Sequence, residues 1–408
     1  MSQETASTSR PASWKWWICG LLLLASTINY MDRQTLANAS VRITRHLHLS
    51  QEQYGSLELG FGWAFAAGSL LMGWLADRVS IRWLYPAFVF LWSATGFATS
   101  LAQSYEGLLG CRILLGLFEA GHWPCAIKTT QRLLEPKDRS LGNSVLQSGT
   151  SIGAIITPLA LHALMTDAPE SWRPAFQIVG AVGLLWIVAW FACVGRGDLE
   201  VVPAPRDSIS IWRVLASRRM VAILFIIAFI NTGWQLLRAW LPKFLQEGRG
   251  YSETTALYFN SAFFVATDFG CLGAGLLTWW LCRRGISVHR SRTLVFLACS
   301  LLAALSLAAA VLPRGSMLLA ALLAVGAGAL GVFPIYHAFT QDLSPHHQGK
   351  VSGAGGVAAF ILSPAHTYFG RLVDRTGSFD LGLAIAGCLP LLAFVVLVTM
   401  WGRRSHET

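Results

Sequence analysis

Apolar stretches of about twenty residues recur roughly twelve times along this chain, and about twenty helical residues are what it takes to cross the hydrocarbon core of a bilayer. They centre near Leu22, Ala64, Leu91, Leu117, Ile152, Leu184, Ile227, Ala266, Leu302, Leu322, Ala358 and Leu391. Several carry Gly, Pro or Ser in mid-span, which membrane helices tolerate. The strict alternation of a β-barrel strand is absent, so the spans read as helices. The longest polar stretch between spans, Arg196 to Arg219, contains Pro203, Pro205, Arg206 and Asp207 and splits the pattern into two sets of six. The expectation is an all-α integral membrane protein with twelve transmembrane helices in two six-helix halves. A tail over 1–14 leads into a first half over 15–195; a linker over 196–219 leads into a second half over 220–402, with a short tail over 403–408.

A weak internal repeat supports the division. Leu134-Glu135-Pro136 with Arg139-Ser140 is echoed by Leu343-Ser344-Pro345 with Gln348-Gly349, and Gly73-Trp74-Leu75-Ala76-Asp77-Arg78 has a degraded counterpart around Gly275 to Arg284. Parallel half-repeats of this size are a transporter architecture.

Composition agrees: 54% hydrophobic residues, 13% charged residues and a mean hydropathy of +0.51 exclude an ordinary soluble protein of this length. The net charge of +10 reads as a topology signal. With a cytoplasmic amino terminus, about nineteen basic residues fall on the cytoplasmic side and about eight on the other. That bias places both termini in the cytoplasm of a multi-pass protein of the plasma (inner) membrane. Spread over short loops, the excess argues against nucleic acid as a partner. Lys15 ahead of a short apolar run ending at Ala25-Ser26-Thr27 has the outline of a signal peptide. Cleavage there would leave an odd number of spans, against the charge pattern. The eight cysteines are scattered in or beside apolar spans without metal-ligand spacing. No metal, no cofactor and no nucleophile–base cluster is expected, which argues against an enzyme.

The candidate chemistry lies where charge interrupts apolar sequence. In Thr27-Ile28-Asn29-Tyr30-Met31-Asp32-Arg33 an acid and a base end the apolar run Trp16 to Ala25, and Arg112 and Glu119 sit seven residues apart in the apolar segment Leu108 to Ala126. Seven residues are about two helical turns, so both side chains project from one face. Ionisable residues at membrane depth are costly and mark substrate or ion pathways. A static buried ion pair is the alternative, and such pairs are seldom needed for stability.

The Gly73 to Arg82 segment resembles the loop signature of the major facilitator superfamily, a Gly-x-x-x-Asp-Arg turn built here on Gly73, Asp77 and Arg78, with Ser80 at the usual second glycine. Five further segments extend the likeness: Asn29-Tyr30-x-Asp32-Arg33; Arg112-x-x-Leu115-Gly116-x-x-Glu119-Ala120 with Pro124 and Lys128; Ser148-Gly149-x-Ser151-x-Gly153-Ala154-Ile155-Ile156-x-Pro158; Trp240-Leu241-Pro242-Lys243; and Gly370-x-x-x-Asp374-Arg375-Thr376-Gly377. Together they resemble the anion:cation symporter branch, nearest to the hexuronate, galactonate and related sugar-acid carriers. The resemblance implies the major facilitator fold, protonation at Asp32 and Glu119, Arg33 on the substrate carboxylate and Arg112 as partner of Asp32. Burial favours a neutral carboxyl and a neighbouring guanidinium favours the carboxylate, so an arginine that moves can exchange one form for the other. Many members carry a second-helix tyrosine where this chain has Phe65. They also often carry an eleventh-helix asparagine, whereas Gly349 to Pro364 offers only Lys350, Ser352 and Ser363.

Weaker candidates complete the site. Arg238 offers a second carboxylate clamp, with snorkelling to the outer surface as its alternative. Tyr30, Gln147, Trp234, Gln235 and Asn260 are candidates to line a pocket for a polyhydroxy acid. Asp268 reads as a helix-packing residue, and His122 as an unpaired packing histidine or a proton relay. The expected function is proton-coupled symport of an organic anion, a sugar acid such as a hexuronate or aldonate, by alternating access in a monomer. The alternative is a proton-driven efflux antiporter for drugs or metabolites.

Overall fold

The computed structural model describes residues 12–134, 139–196, 198–199, 217–343 and 348–401. Its helices form twelve spans. The first is Ala12–His46, the second Gln51–Arg78 and the third Ile81–Thr99; the fourth is Tyr105–Glu119 continued by His122–Leu133, the fifth Arg139–Leu164 and the sixth Arg173–Cys193. The seventh is Arg218–Lys243 followed by a π-helical turn, Phe244–Gly248, and the eighth is Glu253–Arg283. The ninth joins Val288–Ala303 to Ser306–Val311, the tenth Ser316–Gly331 to Phe333–Leu343, the eleventh Gln348–Ile361 to Pro364–Thr376, and the twelfth is Asp380–Met400. Residues 1–11 of the first tail, the whole second tail, Pro203 to Asp207 of the linker, and Glu135, Pro136, Ser344 and Pro345 of the repeat lie outside the described residues, as does the side chain of Asp77.

Among the described residues seven helical stretches are long and apolar enough to cross a membrane on those grounds alone: Gln51–Ala76, Arg173–Cys193, Arg218–Gly248, Glu253–Arg283, Val288–Val311, Ser316–Thr340 and Asp380–Met400. Other spans depart for visible reasons. The first continues as one helix of 35 residues far beyond the apolar run that announces it. Asp32 and Arg33 therefore lie in mid-helix rather than at its end. Its polar residues Asn29, Gln34, Thr35, Asn38, Ser40 and Thr44 are all buried against other spans instead of facing lipid. The fourth span is split at Ala120-Gly121 and the eleventh at Leu362-Ser363, ahead of Pro364. The tenth runs on to Leu343, so its middle lies beyond Leu322.

Serines start several spans. Ser50 accepts the Gln53 amide N–H at 3.1 Å while the Gln53 side chain accepts from the Ser50 amide at 2.9 Å, a reciprocal cap that satisfies two otherwise orphaned donors. Ser104, Ser217 and Ser252 accept from the third residue on in the same manner. Close packing between spans depends on small residues, as is usual without a hydrophobic drive between helices in lipid. A Cβ at Gly149 or Gly153 of the fifth span would collide with the Leu23 or Thr27 carbonyl of the first.

An even number of spans puts the beginning and the end of the described chain on one face, here the chain-end face; the opposite is the far face. The two halves are tied together at the far face. Arg42 of the first span meets Glu253 of the eighth through two contacts, 2.7 and 2.5 Å, and Glu52 of the second meets Arg371 of the eleventh at 2.5 and 3.1 Å. Asp374 accepts the amide N–H groups of Gln51 and Glu52 at 2.8 and 2.7 Å. Its carboxylate thus sits at the positive end of the second helix. Lys243 Nζ reaches Thr44 Oγ1 at 2.9 Å.

Away from that face the contacts between the second and eleventh spans loosen among the described residues. A Cβ at Gly55 would collide with the His366 carbonyl, and one at Gly62 with the Ser363 hydroxyl. Nearer the chain-end face, a Cβ at Gly356 would stand 3.8 Å from Ser69, and one at Gly73 would meet nothing within 4 Å.

Candidate functional site

Six ionised-type side chains converge at mid-membrane from the first, second, fourth and seventh spans. Arg33 Nε donates to Glu119 Oε2 at 2.6 Å. Arg238 Nη2 donates to Glu58 Oε2 at 2.6 Å, and Arg112 Nη2 to Glu58 Oε1 at 3.3 Å. Arg238 also donates through Nη1 to the Arg33 carbonyl at 3.4 Å and through Nε to Gln235 Oε1 at 2.8 Å. Asp32 completes the cluster, its carboxylate packed over Gly96 of the third span, where an added Cβ would stand 2.7 Å from Oδ1. All six, three arginines and three carboxyl residues, are at most 5% exposed.

The first span presents Asp32 and Arg33 to different neighbours because adjacent residues on a helix point about 100° apart. Arg112 and Glu119 share a face, as their spacing predicts, yet they serve different partners. Arg112 binds Glu58 rather than Asp32, which corrects the expected pairing. The second span brings Glu58 closer to that guanidinium. Neither Asp32 oxygen has a hydrogen-bond partner among the described residues, nor do Arg33 Nη2, Arg112 Nε and Nη1, or Glu119 Oε1. Buried polar atoms are normally satisfied, so free donors and free acceptors in one cluster mark a place built for a polar ligand. The floor beneath it is aromatic. The Arg33 guanidinium carbon lies 4.8 Å from the Phe65 ring centre, 5.0 Å from Phe61 and 5.6 Å from Tyr30, and that of Arg112 lies 4.5 Å from Phe61. Phe65 thus faces the cluster and supports Arg33 through its ring.

The pocket candidates separate. Gln235 holds Arg238 and stays half-buried; Tyr30 is half-buried beside Arg33. Asn260 of the eighth span is buried and donates to Asn38 Oδ1 at 2.7 Å, while Asn38 donates to the Gln34 carbonyl at 2.9 Å, a polar ladder next to the charges. Trp234 is buried, its ring lying among Phe263, Phe264 and Phe333. Gln147 is exposed, one turn before Ser151, on the face that meets the eighth span. There Ser151 donates to Asp268 Oδ1 at 2.8 Å, consistent with the packing role read for Asp268. His122 is not unpaired, since its ring nitrogens lie 3.0 Å from Ser26 Oγ and 2.9 Å from Tyr85 Oη. In the loop signature, Gly73 lies in the second helix and the exposed Arg78 stacks on Trp74 at 4.1 Å.

Comparison with known proteins decides the family. Residues 22–365 match the model described as Major Facilitator Superfamily. The chain belongs to the Major Facilitator Superfamily. It is a multi-pass membrane transporter and not an enzyme. A probable L-galactonate transporter of Escherichia coli (strain K12) is 29% identical over 409 residues, covering 93% of this chain and 88% of that protein. A galacturonate transporter of Dickeya chrysanthemi is 24% identical over 282 residues, 64% of this chain and 81% of the relative. Among solved structures, a bacterial homolog of the human lysosomal transporter Spinster, in an inward-facing and unoccupied conformation, matches with a TM-score of 0.80 at 17% identity over 98% of this chain and 100% of that one.

In this major facilitator chain the sequence reading overlooks Glu58. The rule that singles out Asp32 applies to it equally, a carboxylate in an apolar span. It escapes notice because it follows the polar start Gln51-Glu52-Gln53 and passes for part of a solvated helix end.

Proposed function

We propose that the protein is a secondary active symporter that carries an organic anion, a sugar acid of the hexuronate or aldonate type, together with protons, by alternating access. The observation that carries this reading is the set of three buried arginines, two of which, Arg33 and Arg112, keep N–H groups unpartnered among the described residues beside oxygens of Asp32 and Glu119 that also lack partners there. A guanidinium fork matches a carboxylate, and the free acceptors nearby suit the hydroxyls of a sugar acid. The names of the two relatives, a galactonate and a galacturonate transporter, support the same substrate class.

In this reading Arg33 takes the substrate carboxylate, while Glu119 and Asp32 take up protons. Glu119 holds Arg33 at 2.6 Å. Protonation of Glu119 weakens that hold and frees the guanidinium for the anion, so proton and substrate enter together. The ties at the far face and the looser contacts between the second and eleventh spans elsewhere suit one of two alternating states, with the site near the midplane between the halves. The balance of basic residues supports an orientation in the inner membrane with the chain-end face toward the cytoplasm. Cysteines at Ser80 and Ser378, in a background without native cysteines, are then expected to label from the cytoplasm and from outside respectively. Labelling of both from one side would overturn that orientation.

The test of function is uptake by proteoliposomes offered glucuronate, galacturonate, galactonate, glutamate and phosphate. An acid-outside pH gradient is expected to drive accumulation of at least one sugar acid and not of glutamate or phosphate. Uptake of sugar acids that ignores the gradient would refute coupling; gradient-driven expulsion of apolar compounds would favour an efflux antiporter.

A further inference from the structure

We propose that Glu58 is a built-in counter-anion. Its carboxylate occupies the guanidinium groups of Arg112 and Arg238 across the interface between the halves, and the transported anion binds by displacing it.

Among the described residues Glu58 is the one carboxylate hydrogen-bonded to an arginine from each half: Oε1 to Arg112 Nη2 at 3.3 Å and Oε2 to Arg238 Nη2 at 2.6 Å. It is 3% exposed, and it stands where a substrate carboxylate would find its best donors. The grip is uneven. Arg112 gives it one long contact and keeps Nε and Nη1 unpartnered. A substrate carboxylate received by Arg33, whose guanidinium shares the Phe61 ring with that of Arg112, can therefore engage Arg112 next and then compete for Arg238.

The charge balance points the same way. Arg33, Arg112 and Arg238 face Asp32, Glu58 and Glu119, so the cluster is neutral when all six are charged, and an added anion leaves it one negative charge in excess. In a low-dielectric site that excess is costly. Displacing Glu58 from the arginines lets the anion take its partners, and a proton on a neighbouring carboxyl restores neutrality. His366, whose Nδ1 accepts from Trp240 Nε1 at 3.2 Å, Tyr54, whose hydroxyl donates to the Ala239 carbonyl at 2.8 Å, and Tyr30 beside Arg33 are further titratable groups of the surroundings among the described residues. Glu58 thus does two things: it holds the second and fourth spans to the seventh when no substrate is bound, and it makes substrate binding and release of that tie the same event.

This inference rests on the anion-transport reading, and one measurement separates the two. In purified full-length Glu58→Ala protein, acetate or formate is expected to raise the melting temperature saturably, by filling the carboxylate position between Arg112 and Arg238, at concentrations where chloride has no effect and wild type does not respond. No selective response to carboxylates in folded Glu58→Ala protein would overturn the proposal. Glu58→Gln keeps the shape and guards against a variant that fails to fold. An internal competitor lowers apparent affinity by the fraction of time the fork is free, so calorimetric titration with galacturonate is expected to show binding about tenfold tighter in Glu58→Gln than in wild type. Equal or weaker galacturonate binding by Glu58→Gln than by a wild type that does bind it would contradict displacement. Carboxylate rescue of Glu58→Ala with no galacturonate binding by either protein would uphold the counter-anion and refute the sugar-acid reading instead.

Discussion

The same turn occurs twice in this chain, at opposite ends of the paired second and eleventh spans, and its two copies are in different situations. In Gly370-x-x-x-Asp374-Arg375-Thr376-Gly377 the carboxylate of Asp374 caps the second helix through two amide groups, and a Cβ at Gly370 would collide with the Gln51 carbonyl. In Gly73-x-x-x-Asp77-Arg78-Val79-Ser80 a Cβ at Gly73 would meet nothing within 4 Å, and Arg78 lies exposed on Trp74. The backbone differs as well. Gly377 has φ +68°, the left-handed region, whereas Ser80, at the matching place, has φ −60° and ψ 127°. Ser80 costs the turn nothing, because no left-handed residue is needed there. Among the described residues one end of the pair is latched, and the other shows no such tie. A rigid-body exchange between two such states needs contacts that form at one end as they break at the other.

The largest expected effect comes from forcing the latched end apart. Gly55→Leu places a side chain against the His366 backbone and is expected to cost about 3 kcal/mol or more of packing and to abolish transport. Gly73→Leu is expected to leave stability within about 0.5 kcal/mol. Thermal unfolding of the two variants in the same detergent reads the contrast; equal losses would mean the contacts between the spans do not loosen. Next in size, Asp374→Asn weakens a charge-assisted helix cap and is expected to cost about 1–2 kcal/mol, while Arg78→Ala at the open copy stays within about 0.5 kcal/mol. Hydrogen exchange at the Gln51 and Glu52 amides is expected to quicken in Asp374→Asn. Unchanged protection there would remove Asp374 from the latch. The smallest effect is at the turns: Gly377→Ala is expected to lose about 1 kcal/mol to left-handed strain, and Ser80→Gly, which restores the usual glycine, to gain nothing in melting temperature.

How much of this is legible in sequence varies by feature. Seven of the twelve spans follow from apolar length alone among the described residues, and Asp32, Arg33, Arg112, Glu119 and Arg238 follow from the cost of charge in such spans. All five are buried in one cluster. The partners are not legible, since hydrophobic pattern fixes that a helix crosses the membrane and says little of its rotation about its own axis. That is why Arg112 is expected on Asp32 and found on Glu58. Nor does pattern give the reach of the first span, whose polar second half is buried by protein rather than lipid. Trp234 shows the same limit: an aromatic residue suits a pocket or a packed cluster equally well, and its neighbours Phe263, Phe264 and Phe333 are far away in sequence and on other spans.

The central claim is that the buried carboxyls couple protons to an anion held by the arginines. It is tested most directly in proteoliposomes containing Asp32→Asn or Glu119→Gln protein, comparing gradient-driven accumulation of the preferred sugar acid with counterflow exchange of the same compound. Accumulation is expected to disappear in both variants, with exchange retained in at least one, because exchange does not require the proton to be released. If both variants accumulated substrate against its gradient as well as the wild type does, the assignment of proton coupling to Asp32 and Glu119 would be contradicted.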